Sequence, residues 1–302
     1  MMKIRVGTRG SVLALRQTEE VMRALKAVWP FMEFELMVIK TTGDKVMDTP
    51  LFKIGSKGLF VKEIEEALLE GRIDLAVHSL KDLPTKLPPG LTIGAIPKRL
   101  DPRDVLILPE GEGRRIGTSS LRRMVQLRRL FPHFEVISIR GNLDTRLRKL
   151  KRGEVDGLVV ALAGLLRLNL EVEGIKVLDE LIPAPGQGAL AVECREDSPF
   201  MDLLKEVSDP SSEKAVFCER AFLMEMGGGC QVPLGAFAEC EGKEVKIKAF
   251  VSSFDGKRYF YGEHKGEDPM EVGRFLAKLL KGQGAEEVLR ELYEGSGLSS
   301  SF

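Results

Sequence analysis

Residues 5–13 have the sequence RVGTRGSVL, and residues 115–123 have the similar sequence RIGTSSLRR. In both stretches a short strand-like run passes through a turn of small residues into a segment with helical periodicity. A second pair of stretches lies further along each copy, where GRIDLAV at 71–77 matches GEVDGLV at 153–159. This internal repeat predicts two similar domains, each built from alternating strands and helices.

The segments between the repeated stretches follow the same alternation. Residues 33–39 and 134–139 have the composition of strands, and residues 59–69 and 142–150 have the periodicity of amphipathic helices. The alternation predicts doubly wound α/β domains with parallel sheets and helices on both faces. Ligands of such sheets bind beyond the carboxyl ends of the strands, where the turns into helices offer backbone N–H groups.

The last third of the chain has a different pattern. Residues 215–226 predict a helix, alternating apolar residues from Val245 to Val251 predict a strand, and Asp255-Gly256 predicts a hairpin. A helical stripe follows at 272–280, so a smaller α+β domain with an antiparallel sheet is expected. We predict three domains, with these boundaries: residues 1–97 together with 189–206, residues 103–182, and residues 211–302.

The composition predicts a cytoplasmic protein. The 302 residues are 43% hydrophobic and 30% charged, with a formal net charge of zero. The apolar runs are shorter than the roughly 18 residues of a membrane-spanning helix. The first residues, MMKIR, lack the apolar stretch of a signal peptide.

Four cysteines occur, and they form no C-x-x-C pair and have no histidine close in sequence. A zinc site is therefore not predicted, and we expect no metal. In a reducing compartment the cysteines are expected to be thiols. Cys230 follows three consecutive glycines, so another group can approach its sulfur closely. A glycine turn beside a buried, inert cysteine remains the alternative at this point.

Positive charge is concentrated in the middle of the chain. Residues 98–152 contain 15 Lys and Arg against 6 Asp and Glu, which favours binding of an anion. A solvated basic face would need no ligand and remains an alternative. A nucleic acid is a less suitable partner, because no recognised binding motif is present and aromatic residues are not interleaved with the arginines.

Residues 78–84, HSLKDLP, directly follow a predicted buried strand. Lys81 can bind an anionic group while Asp82 interacts with a nearby cationic nitrogen; a structural ion pair is the alternative. His78 itself is expected to be a core histidine. Residues 55–59, GSKGL, lack the spacing of a nucleotide phosphate loop, so they predict either a flexible lid or an ordinary surface loop.

Taken together, the motifs of this chain resemble one known family along nearly the whole length. They are GTRGS at 7–11, DTPL at 48–51, KGLF at 57–60, HSLKD at 78–82, GTSSLRR at 117–123, RGN at 140–142, PGQGA at 185–189 and GGCQVP at 228–233. Their order and content are similar to those of the porphobilinogen deaminase family, also called hydroxymethylbilane synthase.

The resemblance implies a fold and an activity. It implies two periplasmic-binding-protein-like domains, a smaller third domain, and a dipyrromethane cofactor attached to Cys230 by a thioether bond. It further implies a monomeric transferase of tetrapyrrole and haem biosynthesis. Four porphobilinogen molecules are joined head to tail with release of ammonia, and water then frees hydroxymethylbilane while the cofactor stays attached.

The family motifs also assign roles to individual positions. Asp82 matches the catalytic aspartate. The positions matching cofactor-binding residues are Cys230, Lys81, Ser119, Ser120, Arg122, Arg123 and Gln187. The positions matching substrate-binding residues are Arg9, Ser11, Arg140, Arg146 and Arg167. The lid is assigned to Lys53, Lys57 and Phe60.

Two other functions are compatible with parts of the sequence. A non-catalytic two-lobed anion-binding protein would explain the repeat and the basic segment, but it requires neither Asp82 beside Lys81 nor an accessible Cys230. An arginine-rich nucleic-acid binder would show affinity that falls steeply with salt. We therefore expect porphobilinogen as the partner, with no nucleic acid and no membrane.

Overall fold

The computed structural model describes residues 3–45, 60–109, 111–227 and 232–295. The strands of this part of the chain are β1 (Lys3–Thr8), β2 (Glu33–Val38), β3 (Leu75–Ser79), β4 (Leu91–Ala95), β5 (Asp104–Ile107), β6 (Arg115–Gly117), β7 (Glu135–Ile137), β8 (Gly157–Ala161), β9 (Ile175–Leu178), β10 (Leu190–Arg195), β11 (Leu234–Glu241), β12 (Glu244–Ser252) and β13 (Tyr259–Gly266). The helices are α1 (Val12–Val28), α2 (Thr42–Lys45), α3 (Lys62–Leu69), α4 (Leu121–Leu130), α5 (Leu143–Lys151), α6 (Leu162–Leu168), α7 (Met201–Val207), α8 (Pro210–Glu225), α9 (Pro269–Leu280) and α10 (Glu286–Gly295).

The chain divides into two compact units, and the first contains residues 1–100 and 189–214. Its sheet has the strand order β2-β1-β3-β10-β4. Strands β1, β2 and β3 are parallel, whereas β10 runs antiparallel to both of its neighbours. Apolar side chains of β1, β3 and β10 pack with those of α1 and α7 to form a core on one face of this sheet.

The second unit contains residues 101–188 and 215–302. Its first sheet has the order β7-β6-β8-β5-β9, in which β6, β7 and β8 are parallel and β5 is antiparallel to both neighbours. A second sheet, β11-β12-β13, is wholly antiparallel and packs against α8, α9 and α10 around its own apolar cluster. The three-domain division remains our prediction.

The expectation of parallel sheets is correct for four strands of each five-stranded sheet, which run in one direction, and wrong for the fifth, which is β10 in the first unit and β5 in the second. The antiparallel arrangement arises at β10 and β5, which are the first strands after the chain passes from one unit to the other. A strand that does not arrive through a βαβ crossover is not constrained to run parallel to its neighbour. The architecture is therefore mixed α/β.

The internal repeat is confirmed by the sheets and by a shared ion pair. In the first unit Arg5 donates from its backbone N–H and from Nε and Nη2 to the carboxylate of Asp74, over 2.8–3.0 Å. In the second unit Arg115 binds the carboxylate of Asp156 with the same three groups over 2.8–3.1 Å. In both units the aspartate directly precedes a parallel strand, β3 or β8, and the arginine belongs to the neighbouring strand, β1 or β6. Each ion pair therefore joins two adjacent strands of its sheet.

A glycine occupies the same place in both copies because the strand is closely covered there. A Cβ on Gly7 would lie 2.3 Å from a methyl carbon of Ile73, and a Cβ on Gly117 would lie 2.8 Å from side-chain carbons of Ile139 and Leu158. These separations are too short for van der Waals contact. The glycines therefore allow side chains of a neighbouring strand and of the connections to pack closely against β1 and β6.

The predicted local elements are largely confirmed. The expected strands at 33–39 and 134–139 correspond to β2 and β7, and the expected helix at 142–150 corresponds to α5. Helices α8 and α9, strand β12 and the hairpin at Asp255-Gly256 occur in the last third as predicted. Among the described residues, no helix is both long and apolar enough to cross a membrane.

Candidate active site

In the first unit, candidate residues follow the carboxyl ends of two adjacent parallel strands. Arg9 and Ser11 come directly after β1, and Lys81 and Asp82 come directly after β3. Because β1 and β3 are parallel neighbours, both groups lie at the same edge of the sheet. This is the edge at which ligands of such sheets bind.

The turn after β1 is fixed by helix capping. The hydroxyl of Ser11 accepts a hydrogen bond from the backbone N–H of Ala14 over 3.2 Å, which satisfies one of the donors at the start of α1. The guanidinium of Arg9 lies over the ring of Phe60, 4.2 Å from its centroid, a cation–π contact. Of the residues assigned to the lid, Phe60 belongs to the part of the chain that the structure describes. Lys53 and Lys57 lie outside the described residues.

The turn after β3 presents the predicted catalytic carboxylate. Leu80–Asp82 forms one turn of 3₁₀ helix, anchored where the backbone N–H of Leu80 donates to the carbonyl of Ala189 over 3.1 Å. Leu80 is buried, Lys81 is partly buried and Asp82 is exposed. A buried anchor with an exposed carboxylate beside it gives Asp82 a fixed position that remains accessible to a substrate.

The corresponding turn of the second unit follows β6. Thr118 is buried, and its hydroxyl accepts a hydrogen bond from the backbone N–H of Ser120 over 3.2 Å. The hydroxyl of Ser120 in turn accepts from the backbone N–H of Arg123 at the start of α4. Ser119 and Ser120 are partly exposed, so the turn offers a hydroxyl and helix N-terminal N–H groups to an anion.

The first turn of α4 carries two arginines that share one buried carboxylate. Arg122 donates from Nη1 to Asp104 over 2.7 Å, and Arg123 donates from Nε and Nη2 to the same carboxylate over 3.1 and 2.8 Å. Asp104 is fully buried. Burial alone would raise the pKa of Asp104, but the charges of Arg122 and Arg123 outweigh it and hold the pKa well below its ordinary value.

Gln187 joins the same cluster from the segment that connects the second unit back to the first. Its Nε2 donates to the carbonyl of Pro102 over 2.6 Å and to the carboxylate of Asp104 over 2.8 Å. The segment is held further along by Glu219 of α8, whose carboxylate accepts from the backbone N–H of Gly186 over 2.6 Å. Gln187 is thus a buried member of the cluster.

Three more arginines lie in the second unit. Arg146 donates from Nε to the carbonyl of Gly141 over 2.8 Å, and Arg167 donates from Nη2 to the carbonyl of Gly188 over 3.0 Å. Burial, and next the charges of Arg123 and Arg140, lower the pKa of Arg146 to about 10. The charges of Arg123, Arg140 and Arg146 thus repel one another, which favours binding of an anion beside them.

The arrangement is suited to binding carboxylates. Guanidinium groups bind carboxylates through paired N–H donors, and in the second unit two of them share one acidic side chain, that of Asp104. Among the described residues, no group of three or more His, Cys, Asp or Glu side chains could hold a metal ion. Cys230 lies outside the described residues.

Comparison with known proteins identifies the family. Residues 4–202 match the model described as "Porphobilinogen deaminase, dipyromethane cofactor binding domain", and residues 214–282 match "Porphobilinogen deaminase, C-terminal domain". A porphobilinogen deaminase of Brevibacillus brevis is 48% identical over 303 residues, covering 97% of this chain and 98% of that protein. One of Syntrophobacter fumaroxidans is 46% identical over 302 residues, covering 96% and 98%.

The chain belongs to the porphobilinogen deaminase family. As a member of this family it is an enzyme of tetrapyrrole biosynthesis with a dipyrromethane cofactor. The structure is also similar to the BvgS VFT2 domain of Bordetella pertussis, at 14% identity and a TM-score of 0.41, covering 73% of this chain and 91% of that one.

Two polar residues at the candidate site were not anticipated from the sequence. Asp104 gathers Arg122, Arg123 and Gln187, and Gln17 exchanges hydrogen bonds of 2.8 and 3.1 Å with the hydroxyl of Ser79 at the end of β3. Neither has a local sequence signal, since their partners are 18 to 83 residues away.

Proposed function

We propose that the chain joins four porphobilinogen molecules head to tail onto a dipyrromethane held by Cys230, and releases hydroxymethylbilane by hydrolysis. The observation that carries this proposal is the arginine cluster of the second unit. Arg122 and Arg123 share one carboxylate, so positive charge exceeds negative charge in a largely buried place. Porphobilinogen brings an acetate and a propionate with every unit, which supplies the missing negative charge.

In this proposal one set of side chains binds the cofactor and another binds the substrate and the growing product. Arg122 and Arg123, with Lys81, Ser119, Ser120 and Gln187, hold the carboxylates of the dipyrromethane. Five side chains bind substrate and growing product: Arg9, Ser11, Arg140, Arg146 and Arg167. A charge-assisted hydrogen bond contributes about 1.5–3 kcal/mol, so a few such pairs suffice to retain a short polypyrrole chain.

Asp82 performs the repeated chemistry. Each addition breaks the bond between the aminomethyl carbon and nitrogen of porphobilinogen, nitrogen leaves as ammonia, and the carbon bonds to the unsubstituted carbon of the preceding pyrrole, which loses its proton. The carboxylate of Asp82 accepts hydrogen bonds from pyrrole N–H groups, stabilises the positive charge that develops on the ring, and accepts the released proton. Its exposed position on the β3 turn supports this role.

The residues present fit a dipyrromethane group. Its side chains are carboxylates, and the donor set of the second unit consists of guanidinium groups, serine hydroxyls and helix N-terminal N–H groups. The buried Nε of Arg122 has no hydrogen-bond partner among the described residues, so a donor remains for a bound anion. When bound, the group supplies the reactive pyrrole carbon to which the first substrate is joined.

The other cysteines support the choice of Cys230 as the anchor. Burial raises the pKa of Cys194 to about 11 and that of Cys218 to about 12, so neither thiol is ionised near neutral pH. Cys240 belongs to strand β11 and has no glycine-rich neighbourhood that would admit a large ligand. We further propose that the protein acts in the cytoplasm as a monomer and binds no nucleic acid.

Intact-mass spectrometry tests the proposal. The wild-type chain is expected to exceed its calculated mass by one dipyrromethane group, and Cys230→Ser is expected to lose this increment and all turnover of porphobilinogen. Cys240→Ser is the matched control and keeps both. A wild-type chain at its bare calculated mass, or a Cys230→Ser chain that still carries the group, contradicts the proposal.

A further inference from the structure

The internal repeat allows the two units to be compared position by position at the start of their first helix. Ser11 caps α1 by accepting from the backbone N–H of Ala14, and Ser120 caps α4 by accepting from the backbone N–H of Arg123. Ala14 and Arg123 therefore occupy the same position in the two copies. The residues just before them, Leu13 and Arg122, correspond in the same way.

The strand beside this helix can be matched as well. Leu190 is the first residue of β10 and pairs with Ser79 at the end of β3. Asp104 is the first residue of β5 and pairs with Ala161 at the end of β8. Because β3 and β8 are equivalent strands, Asp104 occupies the position of Leu190.

The two units thus have residues of opposite character at these three corresponding positions. The first unit has an apolar set there, in which Leu190 is buried and Leu13 and Ala14 are partly buried; the second has the buried charged set Arg122, Arg123 and Asp104. Burying ions removes them from water, and replacing a buried ion-pair group with apolar side chains is often neutral or stabilising. The first unit demonstrates that this fold does not need the charged set, so the set serves binding.

We propose that Asp104 is a positioning residue that holds the guanidinium groups of Arg122 and Arg123 in the orientation that binds carboxylates of the cofactor. This inference rests on the proposed function. Asp104 accepts from both arginines and from Gln187, and every one of these distances is 3.1 Å or less. Two backbone carbonyls complete the arrangement, Ile182 for Arg122 and Val159 for Arg123.

One carboxylate between two guanidinium groups orients them without neutralising them. Arg122 and Arg123 carry two positive charges against the single negative charge of Asp104, and Arg146 adds its charge to the same neighbourhood. The remaining excess charge and the unpartnered Nε of Arg122 favour an incoming anion. Holding long side chains in place before binding lowers the entropy lost on binding.

Asp104→Asn is the primary test, since it preserves shape but replaces a carboxylate oxygen by an N–H₂ group that faces arginine donors. The expected result is a folded chain in which the fraction carrying dipyrromethane, measured by intact mass, falls at least tenfold. In the remaining loaded fraction, KM for porphobilinogen is expected to rise at least tenfold with a smaller change in kcat. Asp156→Asn is the control: it breaks another Arg–Asp pair of the second unit, the more exposed one with Arg115, and is expected to keep the wild-type mass and KM.

A second variant separates positioning from a role in the fold. The triple substitution Asp104→Leu, Arg122→Leu and Arg123→Ala copies the apolar set of the first unit, and it is expected to fold with a thermal midpoint near that of the wild type while carrying no cofactor. If Asp104→Asn fails to fold and the triple variant folds, Asp104 acts through the arginines, as proposed. Failure of both to fold, or a folded Asp104→Asn chain with wild-type loading, overturns the inference.

Measurements on the wild-type chain distinguish failure of the proposed function from failure of the role proposed for Asp104. If it carries no dipyrromethane and does not consume porphobilinogen, the proposed function is wrong. If it does both while Asp104→Asn behaves like Asp156→Asn, only the role of Asp104 is wrong. Circular dichroism and thermal unfolding of all variants are measured in parallel, so that loss of loading is scored only on folded protein.

Discussion

At the scale of single residues, Asp82 provides the sharpest prediction. Asp82→Asn retains the shape of the side chain but removes the negative charge and the proton-accepting oxygen. General acid–base catalysis typically contributes about 10²- to 10⁴-fold, so turnover of porphobilinogen is expected to fall at least about 100-fold. The intact mass is expected to remain that of the loaded chain, because Asp82 is not proposed to bind the cofactor.

The control for this variant is Asp197→Asn, another exposed aspartate in a turn of the first unit. It is expected to keep the wild-type rate, since Asp197 follows the antiparallel strand β10 and pairs with Arg195 over 3.3 Å at the opposite edge of the sheet from Asp82. A near-normal rate for Asp82→Asn would assign the chemistry to another group. Equal losses in both variants would point to a general effect of removing surface charge.

Individual residues were predictable where the sequence has a local signal. Ser11 and Ser120 are recognisable as helix caps because each stands just before a helical stretch, and Asp82 is recognisable because it follows a buried strand. Asp104 was missed because its role depends on strand register. Gln187, one of its partners, is 83 residues away in the chain.

At the scale of elements, α3, β3 and β10 enclose a second buried polar cluster that lies outside the proposed chemistry. His78 Nε2 lies 2.9 Å from Glu193 Oε2, and both side chains are almost completely buried. Glu65 on α3 is buried beside them, and one carboxylate oxygen of Glu65 and one of Glu193 have no hydrogen-bond partner among the described residues. The expectation that His78 is a core histidine is thus confirmed.

The repeat again supplies the comparison. Both α3 and α5 end in the same turn, with Gly71 and Gly153 donating to the carbonyls three residues before them. Counting back six residues from each glycine places Glu65 and Leu147 at equivalent positions. In the second unit the corresponding site is filled by apolar side chains of α5, β8 and β5, so the polar cluster is particular to the first unit.

This cluster predicts how stability depends on pH. Burial, and next the charge of Glu193, raise the pKa of Glu65 to about 7, while the charge of His78 opposes and that of Glu66 reinforces the rise. The folded chain therefore binds more protons than the unfolded chain between about pH 4.5 and pH 7. The contribution of Glu65 to stability is most favourable below pH 4.5 and is lost as pH rises through about 7.

Glu65→Gln is expected to remove this dependence. Relative to wild type, the variant should gain stability as pH rises from 5 to 8, on the order of 1–3 kcal/mol at the upper end. Urea unfolding of both chains at several pH values measures the difference between their free energies of unfolding. Titrating groups that the two chains share contribute equally to both and cancel in this difference. Glu70→Gln, at the exposed C-cap position of α3, is the control and keeps the wild-type slope, because Glu70 is not among the charges that shift the pKa of Glu65. Parallel curves for wild type and Glu65→Gln would refute the raised pKa of Glu65.

Elements were predictable from periodicity, whereas their arrangement in the sheets was only partly so. Apolar alternation and helical stripes depend on neighbours close in sequence, and β2, α5, β12 and α9 follow from them. The antiparallel placement of β10 between β3 and β4 pairs residues more than 95 positions apart. No local pattern encodes such a pairing.

At the scale of the whole molecule, the repeat explains how one fold can serve two purposes. Each unit keeps the same sheet order and the same Arg–Asp pair, Arg5–Asp74 or Arg115–Asp156. Each then carries a buried polar cluster where the other is apolar. The shared strand order and ion pair maintain the fold in both units. The units differ in their buried polar clusters and in their turns: Asp82 lies on the turn after β3 in the first unit, and Arg122 and Arg123 bind Asp104 in the second.

The distribution of charge over the whole molecule predicts a mild dependence on salt. The formal net charge is zero, so long-range attraction of an anionic substrate is weak. The arginines assigned to the site are buried or partly buried, and salt screens such charges less than fully exposed ones. We expect kcat/KM for porphobilinogen to fall by less than about tenfold between 50 and 500 mM KCl. A nucleic-acid binder with six or more phosphate contacts would lose roughly 10³-fold or more in affinity over a smaller range.

Two arginine variants sharpen this last test because they differ in burial and not in charge. Arg146→Gln removes a partly buried guanidinium and is expected to raise KM about tenfold or more, since a charge-assisted contact of 1.5–3 kcal/mol is lost. Arg128→Gln removes an exposed guanidinium from the far end of α4 and is expected to leave KM unchanged. If both variants changed KM equally and the effect vanished in 500 mM KCl, binding would depend on diffuse surface charge, and the proposed carboxylate site of the second unit would be wrong.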